Sequence, residues 1–154
     1  MTGVQTCALP ICDIWLEKIA EVLRKLGSSR VMVVHAEDGM DEISIAAPTQ
    51  VAELRAGAIR RYRITPEQFG IKRGDTQAIA AHDPATSLQF MQDVLDNRGG
   101  AAQDVVLLNA AAAIYTAGAA DTLASGLEQG RQALASGGAR DKLRQLVELT
   151  RSFS

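Results

Sequence analysis

Large aromatic side chains are scarce in this chain, where they make up 4% of the 154 residues. Much of the apolar content is alanine instead, which favours closely packed helices over a core built from large rings. No apolar run approaches the ~20 residues that a membrane-spanning helix needs. The beginning of the chain also lacks the basic stretch and the long apolar stretch of a secretory signal. We therefore expect a cytoplasmic protein without a membrane partner.

Positive charge is not in excess either, because 16 Lys and Arg residues are set against 18 Asp and Glu residues, for a net charge of -2. Domains dedicated to nucleic-acid binding are usually basic, so this balance argues against a nucleic-acid partner. Hydrophobic residues make up 47% and charged residues 22%, as in ordinary globular proteins. The length is that of a single domain.

Cysteine is absent after position 12, since Cys7 and Cys12 are the only two in the chain. They could form a disulfide or half a zinc site, but they are not spaced as CxxC and no histidine lies nearby. The first twelve residues resemble a translated sequencing adapter more than natural protein. We predict that residues 1–12 form a non-native or disordered tail and that residues 13–154 form the natural domain.

A helix and a buried strand open this domain. Apolar residues at helical spacing predict a helix over residues 13–26, ended by Gly27. Residues 31–34 are four β-prone apolar residues without alternation, a pattern typical of a parallel strand buried on both faces. Residues 43–47 alternate weakly and suggest another short strand. A buried parallel strand needs parallel neighbours, and the chain offers few candidates for them.

A hairpin and a helical last third follow. Residues 50–54 and 58–64 are predicted to form two strands joined by a turn at Gly57. Thr65 and Asp83, each followed by proline, mark two helix starts. Further helices are predicted over residues 101–117, 121–136 and 139–152. The fold class is therefore α/β: an incomplete α/β portion with a buried parallel strand, a hairpin and a helical C-terminal third.

Four carboxylates lie within six residues directly after the predicted buried strand: Glu37, Asp38, Asp41 and Glu42. Ligands of open α/β sheets bind at the carboxyl ends of strands. Mg²⁺ typically takes one or two carboxylates there, together with water and phosphate oxygens. An acidic loop is also a common solvated turn, so the pattern leaves both interpretations open.

Other polar residues are assigned structural roles. We interpret His35, at the strand end, as a hydrogen-bonding residue and not a base. Asn109 lies in an apolar helix and is predicted to be a buried amide bonded to backbone. The predicted hairpin carries Arg55, Arg60, Arg61 and Arg63. These arginines could bind phosphate or nucleic acid, but with Tyr62 as the only nearby aromatic they favour a solvated face.

Five short stretches carry a more specific signal. They are VVHAEDGMDEIS at 33–44, APT at 47–49, VAEL at 51–54, FG at 69–70 and VLLNAA at 106–111. Together they closely resemble the anthranilate phosphoribosyltransferase family. The resemblance runs from about residue 15 to the end of the chain and corresponds to the C-terminal part of that family. One departure is Ala36, where the family usually has glycine.

The resemblance implies a specific reaction and a specific metal site. The family transfers the phosphoribosyl group of phosphoribosyl diphosphate to the amine of anthranilate in tryptophan biosynthesis. Its adjacent Asp-Glu pair binds Mg²⁺ on the diphosphate, and the matching positions here are Asp41 and Glu42. Mg²⁺ would neutralise charge that develops on the leaving diphosphate. We assign Glu37 and Asp38 to the solvated side of the loop.

The same resemblance predicts that the chain is a fragment. The family's glycine-rich diphosphate loop, its Lys-His-Gly-Asn segment and the arginine that meets anthranilate have no counterpart here. The N-terminal helical domain, through which the family forms homodimers, is mostly missing. We therefore expect the isolated chain to be inactive.

Two alternatives with the same fold stay open. One is a non-catalytic nucleic-acid-binding member, against which the net charge of -2 counts. The other is a pyrimidine nucleoside phosphorylase, which the sequence around Asp41 and Glu42 disfavours.

Overall fold

The computed structural model describes residues 13–153, so the predicted tail over residues 1–12 lies outside the described residues. The α-helices are α1 (Leu16–Lys25), α2 (Pro84–Leu95), α3 (Ala101–Thr116), α4 (Leu123–Ala135) and α5 (Gly138–Arg151). The strands are β1 (Arg30–Ala36), β2 (Thr49–Arg55) and β3 (Ala58–Ile64). Short 3₁₀ helices cover Asp13–Trp15, Pro66–Phe69 and Thr76–Ile79. The predicted α/β class, hairpin and helical last third are confirmed.

The three strands form an antiparallel sheet in the order β1-β2-β3. At one end of the sheet Ala36 pairs with Thr49, and Thr49 pairs with Ile64. The β2–β3 turn consists of Ala56 and Gly57, both with positive φ, at 50° and 79°. Two positive φ angles define the two-residue turn whose twist matches antiparallel strands, and glycine adopts this conformation without strain.

The expectation of a parallel strand at residues 31–34 is wrong for the described residues, because β1 pairs antiparallel with β2. Cover on both faces is nevertheless observed. Val31 and Val33 pack with α1 in one apolar cluster. Met32 and Val34 pack against the main core on the other face. A continuous apolar run indicates that both faces of a strand are covered, but it carries no information about the direction of the neighbouring strand.

Close helix packing builds the main core behind the sheet. A Cβ added at Gly126 of α4 would lie 2.7 Å from the carbonyl oxygen of Ala111 in α3. One added at Gly130, one turn later, would lie 3.2 Å from a methyl carbon of Leu107. The two glycines therefore let α4 approach the α3 backbone and bury Leu127. No helix over residues 13–153 is both long and apolar enough to cross a membrane.

Helix α3 is tied to the sheet at the end remote from the acidic loop. The Tyr115 hydroxyl accepts a hydrogen bond from Arg55 at 2.7 Å and donates one to Glu53 at 2.6 Å. Arg30 donates to the Tyr115 carbonyl at 2.9 Å. These contacts join α3 to β1 and β2 and orient the helix across the sheet.

The predicted helix starts are also confirmed. Thr65 and Gln68 form a capping box, in which the Thr65 N–H donates to the Gln68 side chain at 3.2 Å. Asp83 caps α2 by accepting from the Thr86 N–H at 2.8 Å. Both signals depend only on groups three residues apart, which explains why the sequence reveals them.

Candidate metal-binding site

The acidic residues lie on the loop that connects β1 to β2, at residues 37–48. The loop is closed at its base by the Glu37 N–H, which donates to the Pro48 carbonyl at 2.8 Å. Its first turn is closed by the Ala36 N–H, which donates to the Met40 carbonyl at 3.1 Å. Gly39 has a φ of 89° and permits this turn. The chain therefore reverses between the first two carboxylates and the last two.

The first two carboxylates have protein partners. Glu37 accepts two hydrogen bonds from the Arg63 guanidinium, at 2.8 and 3.0 Å, and one from the Gln50 amide at 3.0 Å. The hydrogen bonds from Arg63 and Gln50 lower the pKa of Glu37. Asp38 accepts from the buried Ser44 hydroxyl at 2.6 Å. Both acids are exposed, as expected for the solvated side of the loop, yet both hold the loop in shape.

The last two carboxylates are different. Among the described residues, neither Asp41 nor Glu42 has a hydrogen-bond or ion-pair partner for its side chain. Asp41 is exposed and Glu42 is half-buried. Burial of Glu42, together with the charge of Asp41, raises the pKa of Glu42. Two adjacent, unpaired carboxylates that repel each other are a place where a cation would be stabilising.

The backbone that follows this pair is anchored by α3. The Asn109 side-chain oxygen accepts from the Ile43 N–H at 2.9 Å, and its amide nitrogen donates to the Ile43 carbonyl at 3.0 Å. The same nitrogen also donates to the Val105 carbonyl at 2.9 Å. The prediction that the Asn109 amide bonds to backbone is confirmed, but the residue is half-buried and not fully buried.

The weak strand signal over residues 43–47 is wrong, since these residues form no strand. Their backbone groups bond to isolated partners in place of a neighbouring strand. The Ser44 N–H donates to the Thr49 hydroxyl at 3.2 Å, and the Ile45 carbonyl accepts from the Gly74 N–H at 2.9 Å. Ile43, Ser44 and Ile45 are all buried by the loop, so the alternation of apolar and polar residues in the sequence does not correspond to the two faces of a strand.

Two further interpretations can be compared with the structure. The Nδ1 atom of His35 is buried and has no hydrogen-bond partner among residues 13–153, so the predicted structural bond is missing at this nitrogen. Three of the four hairpin arginines have side-chain partners among the described residues, and all four are exposed, as expected for a solvated face. Arg61 pairs with Asp13, and Arg63 pairs with Glu37.

The donor set of the loop fits magnesium with substrate bound. No group of three or more His, Cys, Asp or Glu side chains that could hold a metal occurs in the described part of the chain. Asp41 and Glu42 offer hard carboxylate oxygens to which no group of residues 13–153 donates. Mg²⁺ keeps several water ligands and is commonly held by one or two carboxylates plus substrate phosphates. The donor chemistry of the pair is therefore compatible with such a shell.

Sequence comparison establishes the class of protein. Residues 12–140 match the family described as glycosyl transferase family, a/b domain. The chain belongs to this family of glycosyl transferases. Its curated relatives include the anthranilate phosphoribosyltransferase of Methylococcus capsulatus, which is 52% identical over 142 residues, or 92% of this chain and 42% of the relative. The corresponding enzyme of Thioalkalivibrio sulfidiphilus is 54% identical over 138 residues, or 90% and 41%. The resemblance noted from the short stretches is confirmed.

Solved structures agree with this assignment. The crystal structure of anthranilate phosphoribosyltransferase from Thermus thermophilus is 34% identical, with a TM-score of 0.82 over 91% of this chain and 41% of that one. The enzyme from Saccharomyces cerevisiae, in complex with PRPP and Mg, has a TM-score of 0.81 over 92% and 41%, at 18% identity, and shares the fold. The chain spans about two-fifths of the length of these relatives.

Proposed function

We propose that the protein containing this chain transfers a phosphoribosyl group from phosphoribosyl diphosphate to the amine of anthranilate, with Asp41 and Glu42 as magnesium ligands. The proposal depends on one observation above all: the loop presents two adjacent carboxylates without protein partners among the described residues, while its other two carboxylates are paired. The relatives named anthranilate phosphoribosyltransferase, at about half identity, support the reaction. The reaction belongs to tryptophan biosynthesis.

In the proposed reaction, some residues of the loop would hold the metal and others hold the loop in shape. The bond from the ribose C1 to the diphosphate oxygen breaks, a bond from C1 to the anthranilate nitrogen forms, and the amine loses a proton. Mg²⁺, when bound, neutralises the charge that the leaving diphosphate acquires. Asp41 and Glu42 would hold it against that diphosphate. The Glu37 N–H and the Pro48 carbonyl close the base of the loop, and the Arg63 guanidinium joins the Glu37 carboxylate to β3.

Substrate binding requires groups beyond this chain. The Saccharomyces cerevisiae relative is described in complex with PRPP and Mg, and also with 4-fluoroanthranilate, which supports these two substrates here. The resemblance places the glycine-rich diphosphate loop and the anthranilate-binding arginine outside these 154 residues. Correct positioning of reactants can supply roughly 7–11 kcal/mol of a barrier. We therefore expect the isolated chain to be inactive. The resemblance also supports a cytoplasmic homodimer formed through another domain.

The direct test is a hybrid enzyme. Residues 13–154 of this chain replace the matching part of the Methylococcus capsulatus relative, and consumption of anthranilate is followed by its fluorescence. We expect Mg²⁺- and phosphoribosyl-diphosphate-dependent turnover by the hybrid and none by the isolated chain. A folded hybrid without turnover would contradict the proposed function. Turnover by the isolated chain would contradict the assignment of the substrate-binding groups to another part of the protein.

A further inference from the structure

The side chain of Asn109 links the core to the candidate metal ligands. We infer that Asn109 is a positioning residue for the Asp41–Glu42 pair, because its carboxamide bonds to both backbone groups of Ile43, the residue that follows Glu42. This inference rests on the proposed function, which makes the pair a metal site. Asn109 touches neither carboxylate and would act only through the backbone of Ile43.

The hydrogen bonds from Asn109 fix both the position and the rotation of the Ile43 backbone. One carboxamide accepts from the Ile43 N–H at 2.9 Å and donates to the Ile43 carbonyl at 3.0 Å. A third bond, to the Val105 carbonyl at 2.9 Å, holds the amide itself on α3. Two bonds to the same residue leave its backbone little freedom to turn. The bonds join positions 66 residues apart in the chain, so no local turn replaces them.

Packing of the Ile43 side chain in the main core fixes how deeply this part of the loop is buried. The Ile43 side chain is 2% exposed and belongs to the main core together with Leu107 and Leu108 of α3. Helix α3 therefore holds this residue by its side chain and by its backbone. Glu42, one residue earlier in the chain, is carried by that anchored backbone.

No side-chain contact among the described residues orients the carboxylates of Asp41 and Glu42. Their side chains have no protein partners among the described residues, and like charges on adjacent residues favour separation. Ser44 holds the loop one residue further along the chain, through its bonds to Asp38 and Thr49. Next to Glu42, the hydrogen bonds of the Ile43 backbone among the described residues are those to Asn109. Groups that orient metal ligands in this way typically account for 10–100-fold in metal affinity.

Helix α3 offers a matched control. Gln103 is a second side-chain amide on α3 that ties the helix to a loop, and it is buried whereas Asn109 is half-buried. It accepts from the Gly99 N–H and donates to the Asn97 side chain at 2.7 Å. Replacing Gln103 with alanine removes a comparable amide clamp without touching the acidic loop.

The experiment uses the hybrid enzyme described above, carrying this chain unmodified or with Asn109→Ala or Gln103→Ala, with MnCl₂ and inorganic diphosphate as probes. Paramagnetic broadening of the loop amides in NMR spectra gives the apparent Mn²⁺ affinity. We expect Asn109→Ala to weaken it about 10–100-fold and to speed hydrogen exchange at the Ile43 amide. Gln103→Ala should change neither, although it also lowers stability.

A second measurement needs no variant, in case Asn109→Ala does not fold. Coupling between two sites is reciprocal, so a clamp that favours cation binding is itself favoured by the bound cation. MgCl₂ with diphosphate should therefore slow exchange of the Ile43 amide in the unmodified chain, while the Gly99 amide stays unchanged.

The outcomes separate the two proposals. Affinities within about twofold for the unmodified chain and Asn109→Ala, or an Ile43 amide insensitive to MgCl₂, would overturn the role of Asn109 alone. Broadening confined to residues other than 41–44, or none at all in the unmodified chain, would overturn the metal assignment and with it the role of Asn109.

Discussion

The two halves of the acidic loop each carry two carboxylates but differ in their partners. Before Gly39, Glu37 and Asp38 accept hydrogen bonds from Arg63 and Ser44. After it, Asp41 and Glu42 meet no protein donor among the described residues. The difference arises from what each half of the loop can reach. Carboxylates within reach of a donor stabilise the loop, whereas those without one remain available to a cation.

The largest expected effect is a loss of turnover when Asp41 or Glu42, the two carboxylates without protein partners among the described residues, is substituted. In the hybrid enzyme, Asp41→Asn or Glu42→Gln should lower Mg²⁺-dependent turnover about a hundredfold or more, because a charged metal contact at the leaving group is lost. Anthranilate binding should change far less. Steady-state rates at varied MgCl₂ and phosphoribosyl diphosphate measure both effects.

The matched variant for this experiment is Glu37→Gln in the same hybrid. It removes one negative charge from the same loop but from a paired position. If Glu37→Gln and Glu42→Gln lower turnover equally, the loop acts through its overall field and the assignment of ligands is wrong.

The next effect concerns the residue that joins the two halves. The buried Ser44 hydroxyl donates to Asp38 at 2.6 Å and accepts from the Ala46 N–H at 2.9 Å. Ser44→Ala leaves both groups without this partner, which should lower the free energy of unfolding by about 1–3 kcal/mol. Urea unfolding measures the loss. Exposed Ser29 provides the control, since Ser29→Ala should stay within about 0.5 kcal/mol of the unmodified chain.

The carboxyl groups in the two halves of the loop should titrate at different pH. The pKa of Glu42 is raised by burial and by Asp41, whereas the pKa of Glu37 is lowered by its bonds to Arg63 and Gln50. Carbon-detected NMR of the carboxyl groups should therefore find a higher midpoint for Glu42 than for Glu37. The reverse order would contradict the division of the loop.

The sign of the stability change also differs between the two residues. Ionised Glu37 stabilises the fold above its unfolded pKa, and that contribution is lost as pH falls through its lowered folded pKa. Glu42 binds its proton more tightly when folded, so its contribution is full below its unfolded pKa and is lost as pH rises through its raised folded pKa. Unfolding curves across acidic pH measure this. The free energy of unfolding lost in Glu37→Gln should shrink as pH falls, whereas the loss in Glu42→Gln should shrink as pH rises.

The smallest effect belongs to the exposed pair at the base of the loop. Glu37→Gln should lower the thermal midpoint only slightly, because exposed ion pairs contribute little and are screened by salt. The difference from the unmodified chain should shrink further at high NaCl. A large drop in the thermal midpoint that persists at high NaCl would contradict this prediction. It would show that the contact between Glu37 and Arg63 is not screened as an exposed ion pair is.

Much of the local structure could be predicted from residues close together in the chain. The turn at Ala56 and Gly57, the capping box of Thr65 and the cap at Asp83 all act within three residues. Such signals act before distant parts of the chain meet. The sequence also indicates the candidate metal pair, but only through its resemblance to a family.

The remaining features were decided by tertiary contacts. The apolar run in β1 determined that both strand faces would be covered, and only the pairing with β2 decided that its neighbour is antiparallel. The amide character of Asn109 determined that it would bond to backbone, and only the packing of α3 decided that this backbone is Ile43, 66 positions away. Hydrophobic pattern and capping depend on a residue and its near neighbours in the chain. Strand direction and the pairing of each carboxylate depend on which distant groups the folded chain brings within hydrogen-bond distance.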